Sequence, residues 1–464
     1  MLSLHALMRS PWSKSATAQQ QVHLEAPVQR TVTRKNFLVW LGPALMVSIA
    51  YMDPGNYGTD LAAGAGYRYE LLWAVWLASA MAMLLQYLSG KLGIASGYSL
   101  PELVRQSLVK KRYVIPYWLA AEAAAAATDL AEYLGTVIAL NLLFGVPLIY
   151  AAVFGALDVI ILLAMTGKRF RIIEQYFALL IAILVVGILY NLVVVGPSLS
   201  EIGYHSIVPI AQDDTALLIV VGIIGATVMP HALFVHSWLS KNKMDLLGRK
   251  IPGTTTNEAS LSTTITSSVN RTAPHQTFTT EERVRTNKVH RVETIVLLTV
   301  AGIVNAGILL VAIPLYPNVN ITINTFVSGM DQYFGPIVGV LFLMTLLASG
   351  LSSSALGTIA GQIIMEGMTG IHVNLWLRRI VTRGINIFPT TVAILLGLPL
   401  LSLLVYSQVI LSLMIPLPMI PLVYYTSKKK FMGILVNKRT TVILAIITVA
   451  LILTFNSFLL YTSV

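Results

Sequence analysis

Two short tracts place polar chemistry inside apolar surroundings: Asp53-Pro54-Gly55-Asn56 and Gly225-Ala226-Thr227-Val228-Met229-Pro230-His231. Each contains a proline, which removes a backbone donor and frees the carbonyl one turn earlier. In the second tract that carbonyl belongs to Ala226, four residues before Pro230. Asp53 and Asn56 are three residues apart, as are Ala226 and Met229, so near-helical backbone puts each pair on one face. A carboxylate, an amide oxygen, a main-chain carbonyl and a thioether sulfur could then converge on one cation. Asp and Asn alone would suit Mg²⁺ or Ca²⁺, which take oxygen ligands. The sulfur of Met229 moves the preference to Mn²⁺, Fe²⁺, Co²⁺ or Cd²⁺. The chain has no cysteine, so there is no disulfide or thiolate site, and Met is the softest ligand left.

Plainer readings stand beside these. Asp-Pro is an ordinary helix start, with Asp as N-cap and Pro at the first helical position. Met229 fits as a filler of core gaps. His231 fits as a satisfied core histidine or, since imidazole titrates near neutral pH, as the carrier of a coupled proton. Depth separates the readings, because a helix start in the middle of an apolar span is itself a broken helix. Unpaired backbone is tolerated at membrane depth only where something satisfies it, and a bound cation would.

A second set of ionisable residues lies in an Ala-rich stretch: Glu122, Asp129 and Glu132. Glu122 and Asp129 are seven residues apart and share a face. Acidic groups at that depth are either proton-relay groups or partners in buried salt bridges to Arg378, Arg379 or Arg383, and both readings stand. Gln408, Thr227 and Asn305 are polar residues that could face a pathway, although hydrogen bonding between helices explains them equally well.

The elements that would hold these groups are membrane-spanning helices. Of the 464 residues 56% are hydrophobic and only 11% charged, against about 25% charged in soluble domains. Apolar runs near the ~20 residues needed to span a bilayer recur at 37–66, 70–92, 114–143, 147–166, 171–195, 214–240, 291–315, 333–366, 380–398, 401–425 and 440–461. The expected fold is an all-α integral membrane protein with eleven transmembrane helices. The net charge of +11 would suggest nucleic acid in a soluble protein, but here the basic residues cluster in alternate loops and report orientation. They put the amino terminus in the cytosol and, after eleven spans, the carboxyl terminus outside.

Residues 1–35 read as a cytosolic tail without a cleavable signal, and 251–281 as a flexible Ser/Thr-rich cytosolic linker. The linker holds a sequon at Asn270 on the wrong side for use; the sequon at Asn320 falls in an outside loop. The transporter-like core spans 36–425 and the last helix, 440–461, is additional. Spans one to five (36–196) and six to ten (213–425) form two repeats, and because five is odd the second is inverted. The breaks then occupy matching positions in spans one and six, the sequence pointer to a central transport site. No Walker A loop, His-Glu-x-x-His or paired Gly-rich nucleotide loop occurs, so ATP-driven pumping and enzymatic chemistry have no support, and no cofactor is expected.

The two broken tracts resemble those of the natural resistance-associated macrophage protein (NRAMP) family of divalent-metal transporters. Ala127-Thr-Asp-Leu-Ala-Glu132, Gly350-Leu-Ser-Ser-Ser354 and Gln362 to Gly367 look like that family too, and the likeness covers about residues 36–425. The resemblance implies the inverted-repeat fold of amino-acid and sodium-coupled transporters, with helices 1 and 6 discontinuous. It implies a metal site of Asp53, Asn56, Ala226 and Met229, and proton transfer through His231, Asp129 and Glu132 with Arg378 and Arg379 as participants; Glu122 is a proton-transfer candidate by its depth alone. The partners it implies are a divalent metal ion (Mn²⁺ or Fe²⁺), protons and the lipid bilayer of the plasma membrane. The intact Met229 and the unreplaced Ala226 differ from the branches that carry magnesium and aluminium. The 251–281 linker is longer than the family pattern requires.

Overall fold

The computed structural model of the protein describes residues 50–108, 110–156, 170–248, 279–318, 321–371 and 373–462. The tail expected over 1–35, the first half of span one, the far half of span four, nearly all of the 251–281 segment and the asparagines of both sequons lie outside the described residues.

Among the described residues every regular element is helical: α1 (Pro54–Tyr67), α2 (Leu72–Ser96), α3 (Leu100–Ser107), α4 (Lys111–Phe144), α5 (Leu148–Gly155), α6 (Phe170–Val195), α7 (Leu199–His205), α8 (Asp214–Val228), α9 (Pro230–Gly248), α10 (Thr280–Ala312), α11 (Ile323–Phe334), α12 (Pro336–Thr369), α13 (Leu375–Leu395), α14 (Leu400–Met414), α15 (Pro416–Thr426) and α16 (Arg439–Thr462), with short turns between them. Among the described residues seven helical stretches are long and apolar enough to cross a membrane, and they coincide with expected spans two, three, six, seven, eight, ten and eleven. An eighth arises if α6 and α7, bent by 114°, are one interrupted span. The ninth expected span forms the helix α13, but Arg378, Arg379 and Arg383 make its first half too polar to resemble the others. Spans one and four are described only in part.

Local chemistry accounts for the ends. Thr279 and Glu282 cap α10 reciprocally: the Thr279 N–H donates to Glu282 Oε2 at 3.0 Å and the Glu282 N–H to Thr279 Oγ1 at 3.2 Å. Alanines fill the centre of α4, the residue with least to lose on entering a helix. Glycines then bring the helices close. At Gly64 a Cβ would run into the Leu309 carbonyl of α10, and at Gly225 into the Gln408 carbonyl of α14. Without a hydrophobic drive between helices in lipid, such small-residue contacts hold a membrane bundle together. α4 packs along α12, and α1 is enclosed by α8, α10, α14 and α4.

Both expected interruptions are present. Ala50 is helical, Tyr51 to Asp53 are not, and the helix resumes at Pro54. α8 ends at Val228 and α9 begins at Pro230, with Met229 between them at φ 46°, ψ 98°. A left-handed residue bearing a side chain is strained, since its Cβ crowds the following carbonyl.

Candidate metal site

Asp53 is 1% exposed and sits at the N-cap of α1. Its Oδ1 accepts from the Asn56 backbone N–H at 3.0 Å and from Asn56 Nδ2 at 2.6 Å. Its Oδ2, equally buried, has no hydrogen-bond partner. The capping and ligand readings are therefore compatible: one oxygen caps the helix and the other is left bare.

Asn56 joins the two breaks. Its Nδ2 also lies 3.3 Å from the Tyr51 carbonyl and 3.5 Å from the Ala226 carbonyl. Its Oδ1 accepts from Thr227 Oγ1 at 3.1 Å, which leaves that amide oxygen a second lone pair. Pro230 has no N–H, so the Ala226 carbonyl lacks its helical donor and has only the long contact from Asn56. Met229 is 1% exposed at the same break. Asp53, Asn56 and Ala226 thus meet directly, and Met229 lies three residues from Ala226 on the same interrupted segment. Among the described residues no group of three or more His, Asp or Glu side chains converges. A cation held here would have one carboxylate, with amide, carbonyl and thioether donors completing its shell.

The three residues singled out for a pathway all border this junction. Thr227 holds Asn56 as described. Asn305 on α10 donates from Nδ2 to the Tyr51 carbonyl at 3.1 Å, and its Oδ1 has no partner. Gln408 on α14 packs its carboxamide against Gly55, donates from Nε2 to Ser407 Oγ at 2.9 Å, and leaves Oε1 unpartnered.

His231 begins the next segment. Its Nδ1 lies 3.0 Å from Thr128 Oγ1, and that hydroxyl also donates to the Ala124 carbonyl at 3.1 Å. A hydroxyl has one proton to give. If Ala124 receives it, Thr128 accepts from His231 Nδ1–H, and the buried, unpartnered Nε2 carries the open lone pair. Thr128 precedes Asp129, so α4 runs from the broken helix directly to the acidic cluster.

That cluster divides in two. Asp129 Oδ2 accepts from Asn386 Nδ2 at 2.6 Å, while its Oδ1 lies 3.8 Å from Arg379 and 3.6 Å from Arg383. Glu132 is 1% exposed and its Oε2 has no partner. Arg379 donates to the Ser354 carbonyl at 2.6 Å, and both Arg379 and Arg383 donate to the Ser354 hydroxyl. Glu122 stands apart, bonded to Arg378 and to Trp118 Nε1 at 3.0 Å. The expected salt bridges are thus present as geometry, the Glu122–Arg378 pair apart from Asp129 with Arg379 and Arg383.

Residues 44–462 match the natural resistance-associated macrophage protein-like family. The chain belongs to the NRAMP family. It is 37% identical over 431 residues to the divalent metal cation transporter MntH of Deinococcus radiodurans, covering 92% of this chain and 90% of that one. The solved manganese transporter of Eremococcus coleocola superposes with a TM-score of 0.76 at 30% identity, covering 91% of this chain and 86% of that one. Mhp1 in its inward-facing conformation, at 14% identity and a TM-score of 0.54 over 91% of this chain and 90% of that one, shows the fold alone. The protein is accordingly a multi-pass integral membrane protein of the NRAMP family with the all-helical, inverted-repeat fold and discontinuous first and sixth helices.

Arg383, expected from sequence as one of three alternative salt-bridge partners, stands beside Asp129. Other residues of this NRAMP site were not singled out from sequence. Ser354 lies in a tract noted only for its likeness to the family. Thr128 likewise lies in a tract noted only for its likeness to the family, and Asn386 gave no signal: a lone amide declares its role only when the helices opposite are known.

Proposed function

We propose that the protein imports divalent transition-metal ions, Mn²⁺ or Fe²⁺ with Co²⁺ and Cd²⁺ also accepted, coupled to protons and by alternating access. The observation that carries the reading is the junction at Asn56, where one amide bridges Asp53 of the first break and Ala226 and Thr227 of the second. Substrate is held there by the bare Asp53 Oδ2, the open lone pair of Asn56 Oδ1, the Ala226 carbonyl and the Met229 sulfur. The carboxylate supplies charge, and the thioether favours Mn²⁺ over Ca²⁺ and Mg²⁺, which prefer all-oxygen shells.

Binding requires Asp53 ionised, so metal arrival releases any proton that it held. His231 Nε2 and the Asp129–Glu132 cluster offer that proton a route along α4 towards Arg379 and Arg383. The two repeats rock about the fixed site, exposing it to one side at a time. The names of the relatives, a divalent metal cation transporter and a manganese transporter, support the substrate class. The distribution of Lys and Arg supports a plasma-membrane orientation with the amino terminus in the cytosol and the carboxyl terminus outside.

The test is Mn²⁺ uptake into proteoliposomes with internal pH recorded simultaneously. Coupled import predicts acidification that tracks Mn²⁺ entry and a rate that rises with an inward proton gradient. Mn²⁺ entry indifferent to that gradient would identify a passive channel, and a sodium-dependent flux without Mn²⁺ entry would place the chain with the sodium-coupled symporters.

A further inference from the structure

α1 carries a second carboxylate that the central site does not use. Asp60 follows Asn56 by one helical turn and Asp53 by two, so the three fall on one stripe of the helix. Asp60 is 0% exposed, and neither of its oxygens has a hydrogen-bond partner. No Lys or Arg occurs in α1, in α8 or in residues 295–312 of α10. A carboxyl buried with both oxygens bare does not stay an unpaired anion: it holds a proton, or exchanges that proton for a cation when one arrives.

Its surroundings follow from the helical register. Asn56, one turn earlier, faces α8 through Ala226 and Thr227. Gly64, one turn later, abuts Leu309 and Ala312 of α10. At about 100° per residue Asp60 lies between those directions, at the seam of α8 and α10. α1 and α10 run in the same sense but obliquely, since the Tyr51 carbonyl meets Asn305 at one end and Gly64 meets Leu309 at the other. One turn back from Leu309 on the face of α10 that meets α1 is Asn305. That side chain is 1% exposed, its Nδ2 is committed to Tyr51, and its Oδ1 has no partner. Two bare oxygens of Asp60 and one of Asn305 thus stand along the seam that leads to the bare Oδ2 of Asp53.

We propose that Asp60 and Asn305 form a second divalent-cation station, built of oxygen alone, which holds the ion between the far end of α1 and the central site. The inference rests on the reading of Asp53 and Asn56 as the central site. Carboxylate and amide oxygens without sulfur do not discriminate against hard ions, so this station takes Mn²⁺ and Ca²⁺ alike, and selection falls to Met229 at the next step. In this conformation every residue of α1 is buried, so the station fills when α1 parts from α10.

The experiment compares the full-length protein, D60N, D53A and D53A/D60N in nanodiscs, with Mn²⁺ binding followed by electron paramagnetic resonance. D53A is expected to retain one weakly held Mn²⁺ that Ca²⁺ displaces, and D53A/D60N to retain none. In proteoliposomes D60N is expected to raise the KM for Mn²⁺ by about tenfold with kcat little changed. Asp60→Asn removes a buried charge and keeps the shape, and unchanged Cd²⁺ affinity at the central site shows that the variant is folded. Equal Mn²⁺ retention by D53A and D53A/D60N, or an unchanged KM in folded D60N, overturns the station. Failure of the central-site reading would appear separately, as normal transport by D53A.

Discussion

Asp53→Asn isolates the charge of the central site from its structural role. Oδ1 of Asp53 accepts two hydrogen bonds from Asn56, at 3.0 and 2.6 Å, and an amide oxygen in its place can accept both. The cap on α1 therefore survives, and the change in stability stays below the roughly 0.5–2 kcal/mol of a full cap deletion. The cation loses its only carboxylate. Removing one partner from a buried opposite-charge pair costs about 3–5 kcal/mol, because the remaining charge is left uncompensated. At 1.4 kcal/mol per decade this weakens Mn²⁺ binding roughly 100- to 4,000-fold. Isothermal titration of purified protein with Mn²⁺, alongside a thermal melt, reads both quantities. A folded Asp53→Asn protein that binds Mn²⁺ within threefold of the parent would refute the placement of the cation at Oδ2.

Met229→Ala should weaken Cd²⁺ binding and let Ca²⁺ and Mg²⁺ compete for uptake, measured as inhibition curves against Mn²⁺; unchanged curves would mean that the sulfur does not select. Gly225→Ala drives a Cβ into the Gln408 carbonyl, and overpacking of this kind costs about 1–3 kcal/mol or more. Its melting temperature in detergent should fall, whereas an unaltered melt would show that α8 and α14 can part without cost. Asp129→Asn should leave Mn²⁺ affinity nearly intact while reducing the internal acidification that accompanies uptake; full acidification would take Asp129 off the proton route. Low pH should release the tie between the end of α1 and the start of α8. Tyr67 and the Ala216 N–H, each donating at 2.7 Å, hold the Asp213 carboxyl below the usual carboxylate range. This contribution is complete above the ordinary carboxylate pKa of ~3.9 and is lost as pH falls through the lowered value. Hydrogen exchange at Ala216 should thus show no change in protection between pH 5 and 8, and a change in that window would contradict the assignment.

Much of the architecture was legible in the amino-acid order because a bilayer restricts what a chain can do within it. Apolar runs of spanning length must become helices, so seven of the expected spans correspond to helices of matching extent. Pro54 and Pro230 cannot continue a helical ladder, so both breaks were visible as composition, and the free Ala226 carbonyl followed from counting back four residues. The span formed by α13 was less legible, because three arginines dilute its apolar signal and their pairing with Glu122 and Asp129 appears only across helices.

Order along the chain thus determined which residues lie at membrane depth, where the helices stop, and that Asp53 and Met229 stand at interruptions. Tertiary packing alone decided which lone pairs stay open: Asn56 consumes one oxygen of Asp53 and spares the other, Thr128 occupies one nitrogen of His231, and Asp60 finds no donor. Depth and interruption follow from solvation and backbone valence, which act on each segment separately. Hydrogen-bond satisfaction at a helix junction depends on groups some 170 residues apart in the chain, such as Asn56 and Thr227, and on the close backbone approach that Gly64 and Gly225 permit.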